Sequence, residues 1–514
     1  MTSLSLHSRP RIVRTAAAGL TVLVAARPAL VARGEMAPPA DTVTHQEQLA
    51  LAEYTCARDD VLGTSLDLIV CASRPTDAAR CQEAVLAEIE RLRQILSTYD
   101  PASEISRVSL GVQSAQSPEL RDLLAAYDDW SVRTGGAVDA RLAQVVRLWR
   151  EAARTGRAPE PAALRAALAG PGALNVDALG KAAIIDRAVA VARRLAPAGL
   201  LNLGGDLRAW GDVTWTVGVA DPFQPADNAP VLTSFLLRNA AVATSGDYAR
   251  PFTVVGRSYS HVIDPRTLQP VAGVRSASVV AGDCLTANAL AAALTVLGPP
   301  GVASLGEMAR TFGHLVVDQA GGVSRGGVFA TVADSAPSAG QPSGSPAAAA
   351  PSGPAWPKGF QVGINLVIGG QSGGRGKRPY VAVWVENADH KLVRTISVFG
   401  GSGKYQSELT AWRAASVGTS PVALRAVTRA TRPPGTYPLV WDGLDSSGKP
   451  VPPGTYTLKV ELNQEHGNHV STQTVLTCDG QPHTLSLPAT VMSDVSAVTY
   501  GPKPASAPAP AAAP

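Results

Sequence analysis

The sequence predicts an α+β domain followed by an all-β sandwich. Three observations carry that prediction. Between residues 55 and 333, stretches with apolar residues at helical spacing alternate with short strand-like segments. Residues 334–357 are Ser, Ala, Pro and Gly with almost no large apolar side chain, which is the composition of a flexible linker. Residues 358–490 then carry short alternating strands at regular intervals, punctuated by Gly, Pro and Asp, the pattern of a β-sandwich. At 514 residues the chain is too long for a single core.

The amino terminus has Arg9, Arg11 and Arg14, then an apolar run from Ala16 to Ala26, then small residues around Ala29 to Ala32. These are the three regions of a secretory signal, and the run is short for a bilayer span. Residues 1–34 are therefore expected to be a cleaved signal peptide of a periplasmic or exported protein, with an uncleaved anchor as the alternative. The same segment holds five arginines and no acid, leaving 40 basic against 41 acidic residues in the remainder. A mature chain so close to neutrality is no electrostatic nucleic-acid binder. The five cysteines (Cys56, Cys71, Cys81, Cys284 and Cys478) lack the spacing of a zinc site. In an oxidising compartment Cys56 with Cys71 or Cys81 is the expected disulfide; buried free thiols are the equal alternative.

Residues 35 to about 52 read as a disordered lead-in. Val61 to Val70 alternates as a strand, and Thr76 to Leu96 is a helix with Val85, Leu86, Ile89, Leu92 and Ile95 on one face. The chain then runs into Ser97-Thr98-Tyr99-Asp100-Pro101, where Asp-Pro marks a turn. A tyrosine there suits either a flat aromatic ligand or a core contact. Leu120 to Thr134 is an amphipathic helix ending at Gly135-Gly136, and 151–172 reads as a helical surface insertion. From Lys181, the residues Ile184, Ile185, Ala188, Val191, Ala192 and Leu195 recur at helical spacing until Pro197 and Gly199 stop them. Leu200 to Leu203 is a strand, and Gly204-Gly205 allows a sharp turn close to a ligand. A lysine at the mouth of a helix facing Gly-Gly-Asp suits an anion.

Trp215 to Ala220 is a strand, and Phe235 to Arg238 with Ala240 to Ala243 suggests a hairpin. Tyr259 to Asp264 reads as a strand delivering His261 and Asp264 to a turn. Ser276 to Ala281 is another strand. Thr286 to Leu297 is an alanine-rich helix, with Asn288 and Ala292 four apart on one face. Residues 491–514 are expected to be a disordered tail.

Four separated pieces now stand in one order: Ser97-Thr98-Tyr99 through Ser103-Glu104-Ile105-Ser106-Arg107; Lys181 with Asp186, then Asn202-Leu203-Gly204-Gly205-Asp206; Thr244-Ser245-Gly246-Asp247-Tyr248; and Ser260-His261-Val262-Ile263-Asp264-Pro265-Arg266-Thr267. Together they resemble the bacterial ApbE family of FAD:protein FMN transferases, over roughly residues 55–330. The stretches 377–387 and 434–461 are similar to a domain of unknown function often fused to such modules. The second half is also similar to the Ig-like domain of flagellar hook-capping proteins. The resemblance implies a T-fold-like transferase domain followed by an Ig-like sandwich.

It also implies a FAD site at Leu62, Tyr99, Ala137, Val138, Asp139, Asn175, Lys181 and Ile263. Mg²⁺ would be held by the Ala178 carbonyl and by the positions of Asn288 and Ala292, which in the family are usually Asp and Thr. His261 and Lys181 would carry catalysis. Leu62 stands for the family's usual Met, Asn175 for Asp, and Leu268 for a glycine. The expected reaction binds FAD, links FMN by a phosphoester to Thr or Ser of an acceptor protein and releases AMP, with possible inner-membrane association through that acceptor. The alternatives are a FAD-binding protein with weak or lost transfer, and an envelope interaction protein acting through its sandwich. The physical logic agrees with transfer: splitting a pyrophosphate requires its charge to be neutralised, and a hydroxyl acceptor is helped by a base such as His261.

Overall fold

The computed structural model describes residues 11–17, 20–27, 51–168, 171–172, 174–224, 226, 228–229, 231–246, 252–254, 257–330, 356–369, 378–400, 407–419, 427–429, 431–464 and 467–503. The lead-in from 35 to 50, nearly all of the 334–357 linker and the tail beyond 503 lie outside the described residues.

β1 (Arg11–Ala17) and β2 (Leu20–Arg27) form an antiparallel hairpin within the segment read as a signal. β3 (Ala52–Val61) and β4 (Thr64–Ala72) form the next hairpin. Five helices follow: α1 (Pro75–Leu96), α2 (Glu104–Ser109), α3 (Pro118–Arg133), α4 (Ala143–Thr155) and α5 (Pro161–Ala166). α6 (Asp177–Ala192) leads into β5 (Ala198–Leu203), β6 (Asp206–Trp210) and β7 (Thr214–Ala220). Then come β8 (Val231–Arg238), β9 (Ala241–Gly246), β10 (Phe252–Val254), β11 (Arg257–Tyr259), β12 (Val274–Ala281), α7 (Cys284–Leu297), β13 (Gly313–Asp318) and β14 (Val323–Gly326).

The scaffold is an eight-stranded antiparallel sheet in the order β14-β13-β12-β9-β6-β5-β4-β3. Helices α1, α6 and α7 cover one face and bury Leu66, Leu68, Val70, Val85, Ile89, Ile185 and Leu290 in one core. A second sheet, β1-β2-β7-β8, lies over the other face and buries Ile69, Leu200, Trp215, Phe235 and Leu237. Because both faces are covered, β5 and the Leu68–Ala72 part of β4 are apolar at nearly every position rather than at alternate ones. Gly199 is required by this packing: a Cβ there would stand 2.3 Å from the Trp210 ring and 2.4 Å from the Ile69 carbonyl oxygen.

Three expectations need correction. Phe235–Arg238 and Ala240–Ala243 do not make a hairpin. β8 pairs with β7, and the chain crosses to the main sheet at Asn239, whose φ of 46° is one that Asn tolerates. The disulfide does not form, and all five cysteines are free and buried. Cys71 faces the second sheet whereas Cys56 and Cys81 face the helices, so the main sheet separates them. Burial, with Glu53 nearby, pushes the Cys71 thiol up to about 12. Thirdly, 491–503 is not tail, as the carboxy-terminal domain shows.

That domain is the expected sandwich. Its strands are β15 (Phe360–Ile368), β16 (Tyr380–Glu386), β17 (Leu392–Phe399), β18 (Thr428–Arg429), β19 (Gly435–Trp441), β20 (Gly454–Asn463), β21 (His469–Cys478), β22 (His483–Leu487) and β23 (Ser496–Pro502). They form sheets β19-β15-β23-β22 and β18-β17-β16-β20-β21 around Val362, Ile364, Val383, Leu458, Trp441 and Tyr500. β23 alternates Val498 and Tyr500 inward with Ala497 and Thr499 outward, a period-2 pattern masked by small residues. The Asn228 side chain reaches the second domain: it accepts the Val440 N–H at 2.8 Å and donates to the Val440 carbonyl on the edge strand β19.

Candidate functional site

A cavity of about 780 Å³ opens between the helices and the ends of the main sheet. Its wall is built from the β3–β4 turn, the end of α1, the loop after it, the start of α6, the β5–β6 turn, the end of β9, His261 and α7.

The loop after α1 is fixed by short polar residues. The Ser97 carbonyl accepts the Ser103 hydroxyl at 2.7 Å, and Ser103 in turn caps α2 by accepting the Ser106 N–H at 3.2 Å. The Glu104 carboxylate accepts the N–H groups of Gln116 and Ser117 at 2.6 and 2.9 Å. Burial raises the Glu104 pKa, but those backbone donors outweigh it and hold the group below its ordinary value. Arg93 at the cavity wall is paired with Glu90 and Asp100. The Tyr99 side chain projects into solvent at 79 % exposure, and its hydroxyl donates to Asp177 at 3.1 Å. Thr98 donates to the other oxygen of the same carboxylate.

Asp177 opens α6, whose first amides need partners. Its own N–H is taken by Asn175 Oδ1 at 2.9 Å, and the Leu179 N–H by the Tyr127 hydroxyl at 3.2 Å. One turn on, Lys181 Nζ lies 2.9 Å from Asp206 Oδ2 and 3.3 Å from the Gly204 carbonyl. The Asp206 side chain is 3 % exposed, against 28 % for Lys181. Gly204, at φ 60°, makes this approach possible; a Cβ there would stand 2.8 Å from Thr64. Asn202 Oδ1 accepts the Gly205 N–H at 3.1 Å and so fixes the turn from within.

Asp186, five residues after Lys181, faces α7 and accepts the N–H groups of Cys284 and Leu285, each at 2.9 Å. Burial pushes its pKa up in spite of those donors. Helix α6 therefore both aims Lys181 and anchors α7, whose Asn288 donates through Nδ2 to Asp206 Oδ2 at 2.9 Å.

Of the residues singled out in the sequence, Leu62, Tyr99, Ala178, Lys181, His261, Asn288 and Ala292 line this cavity. The remaining residues expected at the FAD site stand apart from its wall. Ala137 and Val138 are buried in the main core. Asp139 pairs with Arg141 at 2.7 Å, and Asn175 donates its N–H to the Ala140 carbonyl at 2.6 Å. Ile263 sits in a small core with Trp149, Leu164 and Leu268, so the 151–172 insertion is partly buried. Leu268 takes φ 62°, a conformation that favours glycine, and Trp149 Nε1 holds its carbonyl at 2.9 Å. Asp264 closes its turn by accepting the Arg266 N–H at 2.9 Å. Asp247 lies outside the described residues. Sequence reasoning passed over Asp177 and Arg93, because nothing local marks a solvent-facing Asp or Arg as part of a wall.

The donors do not fit a resident Mg²⁺. A hard divalent cation wants several convergent oxygens, preferably carboxylates. Asp206 is paired with Lys181, Asn288 turns its amide nitrogen toward that carboxylate, and Ala292 offers a methyl. Among the described residues no three His, Cys, Asp or Glu side chains cluster as a metal would require.

Residues 62–312 match the family described as ApbE family, and residues 361–492 match one described as Predicted periplasmic protein (DUF2271). The FAD:protein FMN transferase of Treponema pallidum is 28% identical over 289 residues, covering 48% of this chain and 79% of that protein. The enzyme of the same name from Haemophilus influenzae is 26% identical over 272 residues, covering 46% and 78%. That of Rhodobacter capsulatus reaches 38% identity over 133 residues, 24% of each chain. The crystal structure of the ApbE protein from Thermotoga maritima is 27% identical and covers 54% of this chain and 98% of its own, with a TM-score of 0.48.

Proposed function

The segment 62–312 belongs to the ApbE family, and on that premise we propose that the chain is a FAD:protein FMN transferase. The observation that carries the reading is the convergence in one cavity of Lys181, His261 and a solvent-facing Tyr99. A volume of about 780 Å³ suits a dinucleotide-sized ligand.

In the proposed reaction, the hydroxyl oxygen of an acceptor Thr or Ser attacks the phosphorus on the FMN side of the FAD pyrophosphate. The bond from that phosphorus to the bridging oxygen breaks, and AMP leaves with the bridging oxygen and the electron pair. His261 receives the hydroxyl proton, and Lys181 offsets the negative charge of the phosphates. Tyr99 offers its ring to a flat face of the ligand. No step is routed through Mg²⁺, because the donor set does not hold it.

The DUF2271 match and the arginine-led amino terminus support a periplasmic location with residues 1–34 as signal. The proposed inner-membrane association runs through the acceptor protein; among the described residues no helix is long and apolar enough to cross a membrane. Cleavage after residue 34 would remove β1 and β2 and leave β7 as a sheet edge. The rival reading, a FAD-binding protein without transfer, draws on Asn288 and Ala292. A His261→Ala variant separates the two: it is expected to retain FAD yet lose covalent labelling of acceptor, whereas equal labelling by variant and native chain removes His261 from the mechanism.

A further inference from the structure

We infer that the Lys181 ammonium replaces a divalent cation in this cavity, so that a pyrophosphate is bound and neutralised without metal. This rests on the reading of the cavity as a FAD site and specifies its electrostatics. Asp206 is a buried carboxylate at the cavity wall, and its Oδ2 already carries two donors, Lys181 Nζ and Asn288 Nδ2, each at 2.9 Å. A carboxylate only accepts, so the Asn288 amide must present its nitrogen, and its oxygen cannot join Asp206 as a ligand. Ala292, one turn on, supplies a methyl. Two neighbouring acids among the described residues are committed elsewhere. Asp186 accepts the Cys284 and Leu285 N–H groups, and Asp283 caps α7 through Thr286 N at 2.7 Å.

The ammonium is also suited to the task. Of its three donors, one goes to Asp206 and one to the Gly204 carbonyl. The third is left for a phosphate oxygen, and the partly exposed side chain lines the cavity. Asp206 fixes the position of the charge, and the pair leaves the wall near neutrality until the anion arrives.

The test uses Mn²⁺, followed by electron paramagnetic resonance, on the full chain without FAD, together with FAD titrations in EDTA and in millimolar Mg²⁺. The native chain should bind no Mn²⁺. The double variant Lys181→Met with Asn288→Asp should bind it about tenfold more tightly, or better, than Asn288→Asp alone. FAD affinity of the native chain should agree within about twofold with and without Mg²⁺. Mn²⁺ binding by the native chain, or no gain on removing the ammonium from a chain that keeps its native melting profile, overturns the inference. So does a large rise in FAD affinity with Mg²⁺. Because the Mn²⁺ measurement needs no flavin, absence of FAD binding under both conditions counts against the FAD reading and is told apart from failure of this inference.

Discussion

Lys181 on α6 and Asn288 on α7 meet on a single atom, Asp206 Oδ2, each at 2.9 Å. Two helices remote in sequence are thus referenced to one buried oxygen on the sheet they both cover. Replacing Lys181 by Ala should weaken FAD binding by about 1–3 kcal/mol, the scale of a charge-assisted hydrogen bond. Fluorescence titration of FAD checks this, and an unchanged affinity would remove Lys181 from the phosphate site.

Glu104 should make the loop bearing Tyr99 sensitive to acid. Its folded pKa lies below the unfolded value, so its contribution is fully present above the unfolded carboxylate pKa and is lost as pH falls through the folded one. The melting temperature of Glu104→Gln should therefore trail the native protein at neutral pH, by about 1 kcal/mol in stability, because the neutral amide accepts more weakly. The gap should narrow below about pH 4. A gap that widens on acidification would contradict the assignment.

The transferase domain should hold its ligand alone. Every residue lining the cavity falls between Leu62 and Ala292, and the Asn228–Val440 contact touches none of them. A chain ending at Ala336 is expected to match the affinity of the full chain for FAD within about twofold. Loss of binding by a soluble, folded truncation would mean that the sandwich acts on the cavity.

All five thiols should be silent to a water-soluble disulfide reagent in the native state and all should react after denaturation, since each is buried and unpaired. Reductant should leave the melting temperature unchanged. A melting temperature that falls with reductant would instead reveal a disulfide.

Much of this site was legible because its parts are local. The helix from Lys181 and the turn Asn202-Leu203-Gly204-Gly205-Asp206 follow from spacing and glycine chemistry, and the structure sets them face to face. What was hidden depends on distant surfaces. That Asp206 is buried and shared by two helices follows from sheet order, which local periodicity does not encode. Phe235–Arg238 and Ala240–Ala243 read as one hairpin because adjacent strands usually pair, yet Asn239 carries the chain from one sheet to another. Cys56 and Cys71 are near in sequence but lie on opposite faces of one sheet. Ser496–Pro502 passed for tail because its inward residues are only Ser496, Val498 and Tyr500.

FMN transfer is measured most directly by following AMP and flavin together. Purified chain is incubated with FAD and a periplasmic protein fraction in EDTA. AMP is quantified by chromatography, and flavin that survives denaturation on protein is quantified by fluorescence and mass spectrometry. AMP and Thr- or Ser-linked FMN are expected in equal amounts, both abolished in His261→Ala. FAD bound by the chain but wholly recovered as free FAD, with no AMP and no labelled protein, would contradict it.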